Sequence, residues 1–577
     1  MKSWQIRFKG IVQGVGFRPF VYKLAKTHHL LGEVSNGPAG VLIVFNAHEE
    51  TAQTFYEELI KGAPRLSYIS FQELLQVPSR TFSNFQIVAS DREGERDLLF
   101  TPDFGICETC REEIAEKSNR RYSYTFTTCT LCGPRYSIIK DLPYDRELTA
   151  MQRFEMCESC QQEYDLPTDR RYYSQSNSCS NCGVSLSLWD SSGKLSLSSE
   201  KDKLAYVVEA WKQGKIIALK GIGGYLLSCD VTQSSVIQRL RDKKYRPAKP
   251  FALMYPSWMD LEGYDFSLEE KTEMLGAVSP ILLLNKSLAY NLPEEIAPGL
   301  DAVGIMLPYT PLYQILLSKF QKPIVATSAN ISNSPIIYES DKIEELLELA
   351  DLVLDNDRDI LIPQDDSVIR YSKFFKQRII IRRSRGLAPT FFHKEEELAT
   401  SYLACGTDMK SSIALLHRGK YYLSQYLGDL GHFDTETSFH KVFKHFEFIL
   451  KPNIQHIFHD LHPSYASSRI AEDLADTYQL PHTAFQHHKA HFAAIMGEHE
   501  LQKSEDAVLG VIWDGTGYGE DGNIWGGEFF EFRRKKIKRI SHLSYYSSFG
   551  GDKFAKEPRM ALFSLLANQK EVDKKFT

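Results

Sequence analysis

The chain has 577 residues, 43% of them hydrophobic and 25% charged, with a formal net charge of −6. That length predicts three to five domains at roughly 100–200 residues each, and the ordinary composition excludes disordered, collagen-like and fibrous classes. No apolar run approaches the ~18 residues of a membrane span, MKSWQIRFKG has no signal-peptide core, and the charge balance gives no bulk attraction to nucleic acid. The expectation is a cytoplasmic protein whose partners include neither nucleic acid nor membrane.

Residues 1–90 read as an α+β unit. WQIRFKGIV alternates with period two, VGFRPFVYKLAKTHHL has helical spacing, and GVLIVFNA is strand-like; a helix HEETAQTFYEELIKGA and a closing strand near FSNFQIVAS follow. SDREGERD (90–97) reads as a linker. A cysteine segment occupies 98–185 and ends in the weakly hydrophobic SSGKLSLSSEKDK. From 200 to 390 the strands KIIALKG, FALMY, PILLLN, DAVGIML, PIVATS, SVIRY and RIIIRR alternate with helical stretches, predicting an α/β domain. A second linker, FFHKEEELATS, precedes another α/β region at 400–577 that opens with strand YLACGT.

Eight of the ten cysteines form four CxxC pairs. Cys107, Cys110, Cys129 and Cys132 recur fifty positions later as Cys157, Cys160, Cys179 and Cys182, and Arg120-Arg121-Tyr122 recurs as Arg170-Arg171-Tyr172. Two copies of one small unit therefore stand in tandem. In a chain with no export signal such spacing predicts thiolate coordination of zinc rather than disulfides. Units this small need metal to fold, and four thiolates leave no open coordination position, so two structural Zn2+ ions are expected. Whether each ion uses one copy or exchanges pairs between copies is left open by the spacing.

GIVQGVGFRPF (10–20) places Gly14 and Gly16 between a strand and a helix, where backbone N–H groups and the helix N-terminus favour an anion. Arg18 closes the loop with a fork suited to phosphate. With GEVSNGPAGVLIVF downstream, this segment resembles the acylphosphatase family. The resemblance implies a ferredoxin-type fold, with Arg18 binding the phosphate and Asn36 orienting the attacking water.

Lys220 ends strand KIIALKG, KKYRPAKPF gathers Lys243, Lys244, Arg246 and Lys249, TSANIS (327–332) offers hydroxyl and amide groups, and RRSRG (382–386) adds Arg385. Prolines pin this cluster in place, which predicts a concave basic site for a triphosphate rather than a solvated face. KxRPxxKPF with SxN resembles the YrdC/Sua5 family, which joins a carbamate-type acid to ATP as an acyl-adenylate. The resemblance implies that Lys244, Arg246, Lys249, Ser328 and Asn330 line the nucleotide site.

In QHHKAHFAA, His487 and His491 are four apart and share one helix face, which makes metal ligation feasible. HExxH is not matched, and Asp514 in VIWDGTGYGEDGNIWGGE is expected to end a strand and open a glycine-rich turn. The combination resembles the Kae1/TsaD branch of actin-like ATPases. That resemblance implies a further divalent metal at His487 and His491, with Asp514 beside it.

Taken in order, acylphosphatase-like, tandem four-cysteine zinc-finger, YrdC-like and Kae1-like parts resemble the HypF carbamoyltransferases of nickel–iron hydrogenase maturation, through VQGVGFRPFVYKLA, KPFALM, GIMLPYTPL, DDSVIR and LGDL. The resemblance implies hydrolysis of carbamoyl phosphate, formation of carbamoyl-adenylate from ATP with Mg2+, and carbamoyl transfer to the C-terminal cysteine of HypE. The family usually has histidine where this chain has Tyr173, Leu226, Tyr313, Asn356 and Tyr426. It also continues past the equivalent of Thr577, so a partial Kae1-like domain is expected, with charged EVDKKFT closing the chain and an incomplete metal set. Two rivals rank lower. A threonylcarbamoyl-adenylate enzyme of tRNA modification needs no phosphate loop, and a DnaJ-like zinc chaperone requires CxxCxGxG repeats.

Overall fold

The computed structural model describes residues 1–577 except 262–263, 265, 287–291, 331–333, 394–397, 552 and 567–577. The end of TSANIS, the KEEE of the second linker and the closing EVDKKFT therefore lie outside the described residues. The chain divides into two compact units, Met1–Ser401 with Lys410–Asn453, and Tyr402–Met409 with Ile454–Thr577. No described helix is long and apolar enough to cross a membrane.

In the first unit, β1 (Lys2–Ile11), α1 (Phe17–Thr27), β2 (Leu31–Gly37), β3 (Gly40–Ala47), α2 (Glu49–Lys61), β4 (Tyr68–Val77) and β5 (Phe85–Ile87) form a sheet of order β4-β1-β3-β2-β5. Alternation on β1 buries Trp4, Ile6 and Phe8, while α1 and α2 bury Val21, Ala25, Ala52, Phe55 and Leu59. This is the βαββαβ order of a ferredoxin-type domain. The strand β4 had no clear sequence signal, because an edge strand with few buried positions loses its alternation.

The stretch 90–97, read from its composition as a linker, is anchored rather than free. Asp97 is buried against Lys420 and lies 2.9 Å from Lys9, and Arg96 donates to the Ile449 carbonyl at 3.0 Å. Burying a carboxylate requires such partners.

The cysteine segment has two matching helices, α3 (Glu108–Ala115) and α4 (Glu158–Asp165), each beginning immediately after the first cysteine of its repeat. Its apolar residues are not a separate core. Ile106, Ile114, Phe126, Ile138 and Met151 pack in one cluster with Trp211, Leu312, Leu316 and Phe320.

The α/β part is built from β6 (Leu186–Asp190), β7 (Gly193–Lys194), α5 (Glu200–Lys212), β8 (Ile217–Lys220), β9 (Tyr225–Asp230), α6 (Ser234–Lys243), β10 (Ala252–Met254), α7 (Leu268–Leu275), β11 (Ile281–Asn285), β12 (Ala302–Met306), α8 (Pro311–Phe320), β13 (Ile324–Ser328), α9 (Ile343–Leu349), β14 (Leu352–Asn356), β15 (Val368–Tyr371) and β16 (Arg378–Arg382). The eleven strands run β16-β15-β11-β12-β10-β13-β9-β8-β14-β6-β7. The hairpin β6-β7 adds to one edge, so the sheet draws on residues before position 200, within what reads by composition as a polar boundary. A helix at Phe433–Leu450 also belongs to this unit and buries Phe439, Val442, Phe443 and Phe446.

The second unit contains strands Ile454–Asp460 and His482–Phe485, which pair in parallel, and the helices Ala466–Tyr478 and His487–Glu498. Three antiparallel strands follow, at Val508–Tyr518, Ile524–Arg533 and Lys536–His542. Phe492, Met496, Trp525 and Phe530 form its apolar centre.

Candidate active site and metal centres

The glycine-rich loop lies where β1 meets α1. Gly14 and Gly16 have φ of 70° and 78°, a left-handed backbone that favours glycine. A side chain at Gly14 would also press on Arg135, 3.0 Å away. Gln13 locks the loop: its Nε2 donates to the carbonyls of Gly37 and Gly40 at 2.8 and 2.9 Å, and its Oε1 accepts from Tyr144 N at 2.9 Å. Arg135 Nε donates to the Gly14 carbonyl at 2.7 Å.

Arg18 opens α1 and is 7% exposed. Its Nη2 lies 2.8 Å from Asp145 Oδ1, its Nη1 donates to Ser90 Oγ at 3.3 Å, and its guanidinium sits 5.3 Å from the Tyr173 ring centre. Asn36, on β2, is 2% exposed, and its Oδ1 has no hydrogen-bond partner among the described residues. Arg18 and Asn36 line the same small cavity of about 20 Å³, enough for roughly one water. Arg18 also borders a second cavity of about 500 Å³ walled by Ser90, Asp145, Tyr164 and Tyr173. The acylphosphatase resemblance pointed to Arg18 and Asn36. Asp145, Arg135 and Tyr173 are more than a hundred positions from Arg18, and only the fold brings them in.

The basic cluster faces a cavity of about 340 Å³, within the range of small-ligand sites. Arg246, Lys249, Ser328 and Asn330 line it, joined by Asp365, Arg382, Lys410 and Gln425, which sequence reasoning did not single out, and by Tyr426, noted there only as replacing a family histidine. The chain turns at Tyr245, with φ of 49°, so Lys244 points inward and is buried. Its Nζ donates to the Ser328 carbonyl at 2.7 Å and to Asn330 Oδ1 at 2.9 Å, while Ser328 Oγ donates to the same Oδ1 at 2.8 Å. Lys244 thus supports the Ser328–Asn330 wall from behind. Burial, with Arg246 close by, pushes its ammonium down to about 7.

Lys220 and Arg385 lie outside the walls of this cavity, contrary to the reading from sequence. Lys220 Nζ is held at 3.1 Å from Asp355 and 2.8 Å from the Asn356 carbonyl. Arg385 stacks 3.5 Å over the Tyr309 ring, pairs with Asp366 at 2.7 Å and donates to the carbonyls of Val278 and Ser279. Each is buried and committed to internal acceptors, as burial of a cation requires.

The eight cysteines close two tetrahedra, each within one repeat. Sγ–Sγ separations are 3.7 Å for Cys107–Cys129, 3.7 Å for Cys129–Cys132 and 3.6 Å for Cys110–Cys132. The second set gives 3.7 Å for Cys157–Cys179, 3.8 Å for Cys179–Cys182 and 3.6 Å for Cys160–Cys182. A tetrahedron with Zn–S bonds of ~2.3 Å has edges of about 3.8 Å, so both sets fit structural zinc. They are far too long for disulfides.

In the second unit, His487 and His491 lie on one face of the helix His487–Glu498, with Nε2 atoms 3.2 Å apart. Asp514 Oδ2 is 3.0 Å from His487 Nε2 and 3.7 Å from His491 Nε2, and the three groups converge on one point. Asp514 does not end its strand; it lies inside Val508–Tyr518, where a bulge between Trp513 and Gly517 turns it toward the histidines. Asp460 completes the arrangement, accepting from His487 Nδ1 at 2.7 Å. A carboxylate behind a histidine fixes its tautomer and frees the other nitrogen for metal. Asp460 and Asp514 hold His487 up at about 9, and His487 in turn keeps Asp514 down at about 2.

Family models match an acylphosphatase over residues 4–87 and the HypF finger over 106–139 and 156–189. The Sua5/YciO/YrdC family, described as telomere recombination, matches 209–384. The HypF Kae1-like domain matches 397–498, and the second subdomain of the carbamoyltransferase Kae1-like domain matches 510–577. Carbamoyltransferase HypF of Synechocystis sp. is 42% identical, over 98% of this chain and 73% of its own length. The probable carbamoyltransferase HypF of Methanocaldococcus jannaschii is 39% identical, over 97% and 73%. A crystal structure of full-length HypF in the phosphate- and nucleotide-bound form superposes with a TM-score of 0.92 at 36% identity, covering 98% of this chain and 73% of that one.

Proposed function

Because the chain belongs to the HypF family of carbamoyltransferases, we propose that its sites act in series on one carbamoyl group. At the phosphate loop, Arg18 and the backbone N–H groups of the Gly14–Gly16 turn hold the phosphate of carbamoyl phosphate. Asn36 Oδ1 accepts from the attacking water, and hydrolysis releases phosphate and carbamate. In the basic cavity, Arg246, Lys249, Ser328 and Asn330 hold ATP with Mg2+, and carbamate attacks the α-phosphorus to give carbamoyl-adenylate and pyrophosphate. A cysteine thiolate, the C-terminal one of HypE, then takes the carbamoyl group and AMP leaves. A divalent ion held by His487, His491 and Asp514 would supply Lewis-acid stabilisation of phosphate oxygens.

One observation carries this reading: a buried acceptor without a partner among the described residues, Asn36 Oδ1, shares with the Arg18 guanidinium a cavity of single-water size. A buried polar atom without a partner calls for an explanation, and a positioned water supplies one. The larger cavity on the far side of Arg18 gives the substrate its approach. Carbamate decomposes quickly in bulk water, which favours keeping its producer and consumer in one chain in the cytoplasm. Mass spectrometry of HypE after incubation with the chain, ATP and carbamoyl phosphate tests the proposal. It expects a carbamoylated C-terminal cysteine that needs both substrates; a product formed without carbamoyl phosphate would refute it.

A further inference from the structure

The two cysteine repeats draw their counter-charges from each other. Arg170, in the second repeat, donates from Nη2 to Cys107 Sγ and Cys110 Sγ, both at 3.4 Å. Arg120, in the first repeat, donates to Cys160 Sγ at 3.3 Å and Cys157 Sγ at 3.8 Å. Their neighbours repeat the exchange. Arg171 reaches Glu113 at 3.1 Å and the Thr128 carbonyl at 3.0 Å. Arg121 reaches Glu163 at 2.8 Å and the Ser178 carbonyl at 3.1 Å. Each contact has its counterpart fifty positions along the chain, so the repeats are related by an internal two-fold exchange rather than laid side by side.

Four thiolates around one zinc dication leave a net charge of about −2. In clusters this enclosed, that charge needs nearby cations or donors. Had each repeat supplied its own arginine, each would hold zinc alone. Here the arginine serving one cluster is carried by the other repeat, whose two CxxC turns are tied together by that repeat's own metal.

We propose that the two four-cysteine clusters form one interdependent metal unit, cross-wired by Arg120 and Arg170, in which either zinc is held at full affinity only while the other site is filled. Reciprocity follows thermodynamically: whatever zinc at the first site does for the second, zinc at the second does for the first. The unit also walls the phosphate loop, through Thr130 and Arg135 from one repeat and Tyr173 from the other. Loss of either ion therefore withdraws both walls together. Arg120 and Arg170 are positioning residues, acting on zinc through its ligands.

The test is zinc release from the full chain under excess chelator, with alkylation of each cysteine followed by mass spectrometry. Arg170→Ala should speed release tenfold or more, the usual scale for removing a group behind a metal ligand. Exposure should begin at Cys107 and Cys110, in the opposite repeat, with Cys157 and Cys160 following in the same kinetic phase. Arg120→Ala should give the mirror image, and Arg170→Lys, which keeps charge but loses the fork, a smaller effect of the same pattern. Cys107→Ser should loosen the intact Cys157 cluster by a similar factor. The proposal fails if Arg170→Ala or Arg170→Lys first exposes the cysteines of its own repeat. It fails equally if the Cys107→Ser chain keeps its remaining zinc at the wild-type release rate.

Discussion

Arg18 and Asp145 meet at 2.8 Å across 127 positions of sequence, the one opening α1 and the other lying between the two cysteine repeats. The pair ties the glycine-rich β1–α1 loop to the cysteine segment. With Nη1 on Ser90, it fixes both ends of the Arg18 fork.

Replacing Arg18 by alanine removes the loop's cation. Phosphate release from carbamoyl phosphate should fall by roughly 10²–10³, the scale of losing one key transition-state donor. Asp145→Asn keeps the shape but loosens the hold on Arg18, so kcat should fall about tenfold with KM little changed, since small misplacements of a catalytic group are costly. A colorimetric phosphate assay separates the two variants.

The cations of the basic cluster divide into those that line the cavity and those buried outside it against internal acceptors. Arg246→Ala should weaken nucleotide binding at least about tenfold, with little loss of stability, because Arg246 lines the cavity. Arg385→Ala should instead destabilise the fold by about 3–5 kcal/mol, because Asp366 is left buried and unpaired. Denaturant unfolding beside nucleotide titration distinguishes the two patterns.

Lys244 gives a pH signature. Burial holds its ammonium down at about 7, against an ordinary value of 10.5. Between those two values the unfolded chain binds the proton that the folded chain has given up, so this residue makes stability rise with pH across that window. Lys244→Met should remove that contribution. The variant should gain on the wild type when Tm is compared at pH 6, and lose that gain by pH 10. A difference between the two proteins that does not change with pH would contradict the burial argument.

Metal analysis should return two zinc ions per chain from the cysteine segment. Stripping them should lower Tm, because each tetrahedron ties together two distant CxxC turns, and those of the first repeat sit in the cluster shared with Trp211 and Phe320. A metal-free chain of unchanged Tm would rule out the structural role.

Legibility from sequence followed the range of the physics. The α+β character of the first ninety residues was readable because Trp4, Ile6 and Phe8 alternate on β1, the ferredoxin-type order came from the acylphosphatase resemblance, and the cysteine spacing specified eight thiolates for two ions but not how they divide. Edge strand β4, with few buried positions, carried no such signal. Strand β14 follows the acidic, helical IEELLEL directly, and its short apolar run is indistinguishable by periodicity from the helix before it. Lys220 and Arg385 were read as ligands because a clustered cation looks alike in sequence whether it faces a cavity or a buried carboxylate. Asp145 and Asp460 went unread because their partners, the Arg18 guanidinium and His487, are brought near only by folding, and Tyr173 was noted only as replacing a family histidine, not as a neighbour of Arg18. Arg120 and Arg170 were noticed as a repeat, but their exchange between repeats is a fact of three dimensions.

On the proposed function, one chain turns carbamoyl phosphate into an adenylate through two of its own sites. ATP–pyrophosphate exchange measures it most directly. Exchange should require carbamoyl phosphate, vanish in Arg18→Ala, and return in that variant when ammonium carbamate is supplied in its place, since the cavity lined by Arg246 and Asn330 is untouched. Exchange that proceeds without carbamoyl phosphate, or that depends instead on threonine and bicarbonate, would contradict the assignment.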